Sequence, residues 1–258
     1  LLTLAILLSS MGLFVFTSAS FGLFARKGFS FTDIFFDQIV LGLFLGIIAM
    51  ILMLKIPLSF WRTYALHIFV ASILLTALVF VPHVGFEHGG AKRWISIGSI
   101  SFQPSEALKL ATILYFAALL PLLKTRIQEF KYVFLTTVAV LSIPAILLLL
   151  EPDTGTFAVV FTAACAMLVA AGAKLRHFGI ICLCAILAIG VLALTRPYVK
   201  ERILTFMDHS RDPSGASYQI QKSLIAIGSG GLTGRGFGQS IQKFSSLPEP
   251  TGDSIFAV

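Results

Sequence analysis

Long uncharged apolar runs alternate with short polar connections along most of this chain, and the lengths of the runs predict its elements. Residues 1–24 carry no charge, and at 1.5 Å per residue they are long enough to cross a hydrocarbon core of about 30 Å. With no basic n-region and no initiator Met, this run is expected to be a span whose start has been trimmed rather than a signal peptide. A connection holding Arg26, Lys27, Asp33 and Asp37 leads to a second span over about 38–54. Lys55, Pro57, Trp61 and Arg62 mark a turn and interfacial belt before a third span ending near Val81. Residues 82–103 are expected to form a polar, glycine-containing loop. The fourth span opens at Pro104, a natural first-turn residue, and runs to about Leu123. The fifth, about 132–150, carries Pro144, which should kink it. Glu151-Pro152-Asp153-Thr154-Gly155-Thr156 is a tight acidic turn into the sixth, and Ala173-Lys174-Leu175-Arg176 joins the sixth to the seventh as antiparallel neighbours. Arg196-Pro197 stops the seventh just past Thr195.

Composition agrees with the pattern. At 57% hydrophobic and 12% charged over 258 residues, the chain has more apolar surface than one soluble core can hide, so its solvent is the bilayer. The expected fold is an all-α polytopic integral membrane protein with about seven transmembrane helices. The net charge of +7 comes from 19 basic residues scattered over loops. They form no Lys/Arg tract, which excludes nucleic acid as the natural partner and favours anionic or phosphate-bearing lipids. Cys165, Cys182 and Cys184 fall inside apolar runs, where cysteine packs as a small hydrophobe. His67, His83, His88, His177 and His209 show no metal-ligand spacing.

Charge also orients the chain. The connections at 55–62, 124–131 and 174–176 hold seven basic residues against one acid, Glu129, whereas the intervening short loops are mixed. By the positive-inside rule the first set is cytoplasmic, which places 196–253 outside. Three regions follow: a seven-span bundle over 1–195, a large extracytoplasmic loop over 196–253, and residues 254–258 as the start of an eighth, truncated span. The outer segment carries helical signals, with Asp212-Pro213 as cap and first turn and Ile220, Leu224 and Ile227 on one face. A short amphipathic helix lying on the outer leaflet is predicted. The following Gly228 to Gly238 stretch reads either as a close-approach ligand loop or as a flexible turn.

Three places bear candidate chemistry. Ser246 to Val258 closes the polar segment with Glu249, Asp253 and two prolines just as a new apolar run begins. A carboxylate at the mouth of a membrane segment is costly to desolvate and so points to function; alternatively, Asp253 is an N-cap for the residues that follow. Glu106 and Lys109 stand at i, i+3 on one face of the fourth span, close enough to pair, and Lys109 also has the reach to snorkel. Arg93-Trp94 in the outer loop offers a guanidinium suited to phosphate beside an interfacial indole. On these residues alone, a lipid-phosphate enzyme and a transporter fit equally.

Four blocks, in order over nearly the whole chain, resemble the SEDS family, the FtsW, RodA and SpoVE cell-wall proteins. They are Gly90-Ala91-Lys92-Arg93-Trp94-Ile95 with Gln103-Pro104-Ser105-Glu106-Ala107-Leu108-Lys109; Glu151 to Thr156; Tyr218-Gln219 with Ser223 to Gly231; and Leu247-Pro248-Glu249 with Asp253 to Val258. Gly236-Phe237-Gly238-Gln239-Ser240-Ile241-Gln242-Lys243 is more similar to the FtsW branch. The resemblance implies a peptidoglycan glycosyltransferase that polymerises lipid II on the outer face of the bacterial cytoplasmic membrane for cell division or elongation. Its implied partners are a class B penicillin-binding protein transpeptidase and other divisome or elongasome proteins. It implies Asp253 as the catalytic acid, which helps deprotonate the acceptor sugar 4-hydroxyl, with a divalent cation (Mg or Mn) at Asp253 if one is used. Partial burial would raise the pKa of such a carboxylate toward working pH, as a general base requires. Arg93 and Lys109 match positions lining the substrate cavity, and Glu106, the neighbour of Lys109, is taken as a substrate-binding candidate with them. Arg202, Arg235 and Lys243 are given the same electrostatic role, and Glu249 is the alternative acid. Family members have about ten spans, so helices beyond Asp253 are expected to be missing here. A lipid II flippase and a non-catalytic scaffold for the transpeptidase are the competing functions.

Overall fold

The computed structural model describes residues 2–24, 36–88, 91–97, 100–208 and 217–258. The expected connection through Arg26, Lys27 and Asp33 and the expected Asp212-Pro213 cap lie outside these residues. The protein is predominantly helical and multi-pass. Five helices among the described residues are long and apolar enough to cross a membrane: Leu2–Phe24, Leu58–Phe80, Pro104–Leu123, Phe130–Leu150 and Leu175–Thr195. Two shorter apolar helices, Gly42–Lys55 and Thr154–Ala170, stand where the second and sixth spans were expected. The latter is about 25 Å long at 1.5 Å per residue, slightly less than a typical hydrocarbon core.

In chain order, α1 (Leu2–Phe24) precedes a π-helical stretch, Phe36–Phe44, that runs straight into α2 (Leu45–Lys55). Pro57, in extended conformation, then starts α3 (Leu58–Ala77), so Trp61 and Arg62 sit in its first turns rather than in a connecting loop. A 3-10 turn, Leu78–Phe80, closes it. Residues 82–103 depart from the expected loop. They hold three antiparallel strands, β1 (Gly85–His88), β2 (Ala91–Ile97) and β3 (Ile100–Phe102), ordered as a meander. Phe86 pairs with Trp94 and Ile95 with Phe102, and a register shift falls between Phe86 and Glu87. The aromatic and β-branched residues of β2 and β3 favour this pleated arrangement. At Gly85 any Cβ would collide with the Val79 carbonyl, so only glycine lets the sheet return over the end of α3.

Next come α4 (Pro104–Leu119), with Pro104 in its first turn and a 3-10 extension to Leu123, and α5 (Phe130–Leu150), with Pro144 inside it. They are followed by α6 (Thr154–Ala170) and α7 (Leu175–Thr195). Arg196 ends α7 in extended conformation. Pro197 both stops that span and opens a further helix not foreseen from the sequence, α8 (Pro197–Met207). The amphipathic helix is α9 (Tyr218–Gly230), and a one-turn α10 (Gln242–Ser245) follows the glycine-rich turns. Residues 254–258, expected to begin an eighth span, form a 3-10 turn over Ile255–Ala257.

The chain divides into two compact units: Leu1–Leu54 with Lys200–Val258, and Lys55–Val199. The core of the second is built by Phe69 of α3, Leu108 and Phe116 of α4, Val133, Val140 and Leu148 of α5, and Val160 and Leu168 of α6. Phe69 stacks on Tyr115 at 4.9 Å. Hydroxyls at the helix contacts turn back to their own helices: Thr112 donates to the Leu108 carbonyl at 2.7 Å and Thr137 to the Val133 carbonyl at 2.7 Å. Small polar side chains satisfied in this way allow close helix approach in lipid. Outward faces stay apolar, as at Leu4, Leu74, Leu135 and Leu187, which is what lipid contact requires.

Candidate active site

In the first unit the polar segment folds back onto α1. Gly231, Gly234, Gly236 and Gly238 all take positive φ, and this lets the chain reverse repeatedly after α9. The Arg235 Nε–H donates to the Ser229 carbonyl at 3.0 Å and closes the first reversal. Phe237 then packs on Phe14 and Phe21 of α1, with centroids 4.4 and 6.0 Å apart, and the Gly238 N–H donates to Ser18 Oγ at 3.1 Å. Lys243 on α10 is 0% exposed. Its ammonium donates to the Ser18 carbonyl at 2.9 Å and lies 5.7 Å from the Phe21 ring centre and 5.2 Å from that of Phe244. Burial pushes its pKa below the usual lysine range.

Beyond α10 the chain is fixed from the other side. Leu247 is fully buried, the Tyr218 hydroxyl of α9 donates to the Ser246 carbonyl at 3.2 Å, and Ser223 Oγ donates to the buried Ser254 Oγ at 3.2 Å. Between these anchors Glu249 adopts a φ of 42°, and its carbonyl accepts from the Gly252 and Ser254 N–H groups at 3.1 and 3.3 Å. Asp253 lies on the outside of this tight turn and is exposed. The N-cap reading of Asp253 is not realised, because the cap position of the 3-10 turn is Ser254 and no side chain caps it. The partial burial expected of Asp253 is likewise absent. What the fold supplies is an accessible carboxylate on a firmly anchored turn.

In the second unit the outer-loop chemistry gathers around the start of α6. Asp153 caps that helix, its Oδ1 accepting from the Thr156 N–H at 3.1 Å. Its Oδ2 faces Gln103 Nε2 at 3.3 Å and Ser105 Oγ at 3.4 Å, at the start of α4. Glu151, two residues before, is 1% exposed, and neither carboxylate oxygen has a hydrogen-bond partner among the described residues. Burial pushes its pKa up to about 8; the neighbouring Asp153 charge adds to the rise and Arg93 on β2 partly offsets it. Arg93 is half-buried, with its Nε also unpartnered among the described residues. On α4, Lys109 and Glu106 form the expected pair at 2.7 Å.

Asp253, Glu249, Arg235 and Lys243 thus belong to the first unit and Arg93, Glu106 and Lys109 to the second; Arg202 lies exposed on α8. Arg235 and Lys243, expected to meet substrate, are seen bonding within the protein. Sequence reasoning missed the roles of Glu151, Asp153, Gln103 and Ser18. The signal available for Asp153 was its place just before Thr154-Gly155-Thr156, a helix-start pattern. Among the described residues no three His, Cys, Asp or Glu side chains are grouped so as to hold a metal ion.

The family model described as cell cycle protein, covering FtsW, RodA and SpoVE, matches residues 1–258. The chain is 35% identical over 258 residues to stage V sporulation protein E of Bacillus subtilis, a match that covers 100% of this chain and 70% of that protein. To a probable peptidoglycan glycosyltransferase FtsW of Idiomarina loihiensis it is 37% identical over 260 residues, covering 100% and 62%. Its fold is similar to that of a chain from a solved peptidoglycan synthase complex that coordinates polymerization and crosslinking, with a TM-score of 0.59 and 30% identity over 85% of this chain and 65% of that one. This chain therefore spans about two thirds of the length of these relatives.

Proposed function

The chain belongs to the FtsW, RodA and SpoVE family, and from that premise we propose that it carries the glycosyltransferase site of a lipid II polymerase, with Asp253 as general base. The observation that carries this reading is the exposed Asp253 carboxylate held on a turn anchored to both α1 and α9. A base must reach a substrate proton at hydrogen-bond distance and must not be consumed by internal contacts. The exposure of Asp253 supports this role, and Glu249, whose backbone shapes the same turn, is the alternative acid.

In the reaction the Asp253 carboxylate takes the proton of the acceptor sugar 4-hydroxyl as that oxygen attacks the donor anomeric carbon, and the bond to the lipid pyrophosphate breaks. Basic side chains stabilise the charge that develops on the departing pyrophosphate. Arg202, in the unit that carries Asp253, is the candidate there. The distribution of basic loops supports an outward-facing site by the positive-inside rule, and the family supports the bacterial cytoplasmic membrane as its location. The likeness to a chain of a peptidoglycan synthase complex supports a partnership with a class B penicillin-binding protein transpeptidase. The Gly236 to Lys243 segment favours a division role.

The test is lipid II polymerisation by the full-length gene product in membranes with its transpeptidase, wild type beside Asp253→Asn. Glycan strands from wild type and a loss of about 10²- to 10⁴-fold in the variant are expected. Equal activity would move the base to Glu249. Lipid II crossing vesicles unpolymerised by wild type would replace the enzyme reading with transport, a path for which the Glu106–Lys109 pair inside α4 would be the natural lining.

A further inference from the structure

We propose that Lys243 is a positioning residue for Asp253: its buried ammonium, seated on the Ser18 carbonyl of α1, fixes the place at which the 246–254 turn presents the carboxylate. This rests on the reading of Asp253 as the base, and it departs from the expectation that Lys243 meets substrate. The ammonium has no exposure and its hydrogen bond points into α1, so lipid pyrophosphate has no route to it in this structure.

The backbone geometry is built for this contact. α1 carries Gly22 where α10 crosses it, and a Cβ there would lie 2.5 Å from the Lys243 carbonyl oxygen. Since that obstacle is backbone, no rotamer change relieves it. Ser18 takes three contacts from the same segment: its carbonyl from the Lys243 ammonium, and its Oγ from the Gly238 N–H at 3.1 Å and from the same ammonium at 3.5 Å. The Phe21 and Phe244 rings flank the ammonium and exclude water. From Lys243 the chain passes directly into the turn, with the Ser246 and Leu247 N–H groups both donating to the Gln242 carbonyl at 3.0 and 2.9 Å. The Ser223–Ser254 bond holds the far side. Apolar packing of Phe237 on Phe14 and Phe21 would hold the segment near α1 but is not directional. The charged hydrogen bonding of the Lys243 ammonium to Ser18 sets the register, a use of buried polar groups that costs stability and gains specificity.

The consequence is that Lys243→Met should fold normally and react poorly. Methionine fills the space, and removing a buried charge together with its desolvation cost is neutral or stabilising. The turn, however, loses its fixed register, and small displacements of a catalytic group cost up to about 10²-fold in rate. In the membrane complex with its transpeptidase, Lys243→Met is expected to lower kcat for lipid II polymerisation by about 10- to 100-fold, with KM within about twofold of wild type and an unchanged thermal midpoint. Gly22→Val, which leaves the ammonium intact and lifts the backbone, should reproduce the same split. Spin labels at Gly252 and at Leu8 of α1, in a cysteine-free background, should give one narrow distance in wild type and Asp253→Asn and a broadened one in Lys243→Met. A rise in KM alone would overturn the proposal in favour of substrate contact. So would full kcat in Lys243→Met, or a distance distribution the substitution leaves narrow. Should Asp253→Asn remain active, the base assignment fails, and the label distances still decide whether Lys243 fixes the turn.

Discussion

Lys243 in the first unit and Glu151 in the second are both buried to within 1% of completely, yet they are treated in opposite ways. Lys243 is met by a helix carbonyl and two aromatic faces. Glu151 has no hydrogen-bond partner among the described residues and lies near a second acid. A buried charge with a directional partner locates a segment. A buried carboxyl without one resists ionising, so near neutral pH its proton is part of the structure. The first unit therefore uses charge to place a loop, and the second stores a titratable group where α5 ends and α6 begins.

Breaking the satisfied neighbour of Glu151 should have the largest effect on stability. Asp153→Ala removes the cap of α6 and leaves the buried Ser105 hydroxyl without its acceptor, while Gln103 Nε2 keeps its bond to Ser105 Oγ at 2.9 Å. Cap loss costs about 1 kcal/mol and stranded buried donors about 1–3 kcal/mol, so a loss of roughly 2–3 kcal/mol in denaturant titrations is expected. Asp153→Asn should recover part of it. An Asp153→Ala protein as stable as wild type would show that the acidic turn is held by the rest of the helix packing.

Glu151→Gln should act the other way. With its folded pKa raised to about 8 from an ordinary value of 4.5, the folded protein binds more protons than the unfolded chain between those values. Stability present at low pH is therefore lost as pH rises from about 4.5 to 8, and then levels off. Glutamine cannot ionise, so the variant's unfolding free energy should lack that decline and exceed that of wild type at pH 8.5 by about 1 kcal/mol or more in denaturant titrations. Parallel pH profiles for the two proteins would mean that Glu151 ionises freely.

The same contrast shows what a sequence can disclose. Uncharged runs gave the bounds of the five long apolar helices to within a few residues, and Pro104 marked the start of α4 correctly, because hydrophobic length and proline geometry are local properties. The Glu106–Lys109 pair was legible for the same reason, from i, i+3 spacing alone. The three-stranded sheet was not, because its polar and glycine residues outweighed the alternation in Trp94-Ile95-Ser96-Ile97. Pro197 was read as an end and is also a beginning. Lys243 and Ser18 stand 225 positions apart, and no local pattern announces such a pair. Glu151 was misleading in the opposite sense, since an acid beside Pro152 in a turn suggests solvation, and only packing reveals that it is enclosed.

The Glu106–Lys109 pair offers the smallest expected effect and a third case for the comparison, a charge pair that is joined but not enclosed. Glu106 is about half exposed and sits in the first turn of α4, where the helix dipole already favours a negative charge. An exposed i, i+3 pair of this kind contributes about 0.2–0.5 kcal/mol, so Lys109→Met and Glu106→Gln should each change stability by no more than about 0.5 kcal/mol, and the double variant by little more. If the lipid-facing environment instead enclosed the pair, the singles would diverge from the double: removing Lys109 alone would strand a carboxylate at a cost of about 3–5 kcal/mol, and removing both would restore most of it. Equal small losses would leave both side chains free for a substrate, whereas the divergent result would class the pair with Lys243, as charges spent on holding the fold.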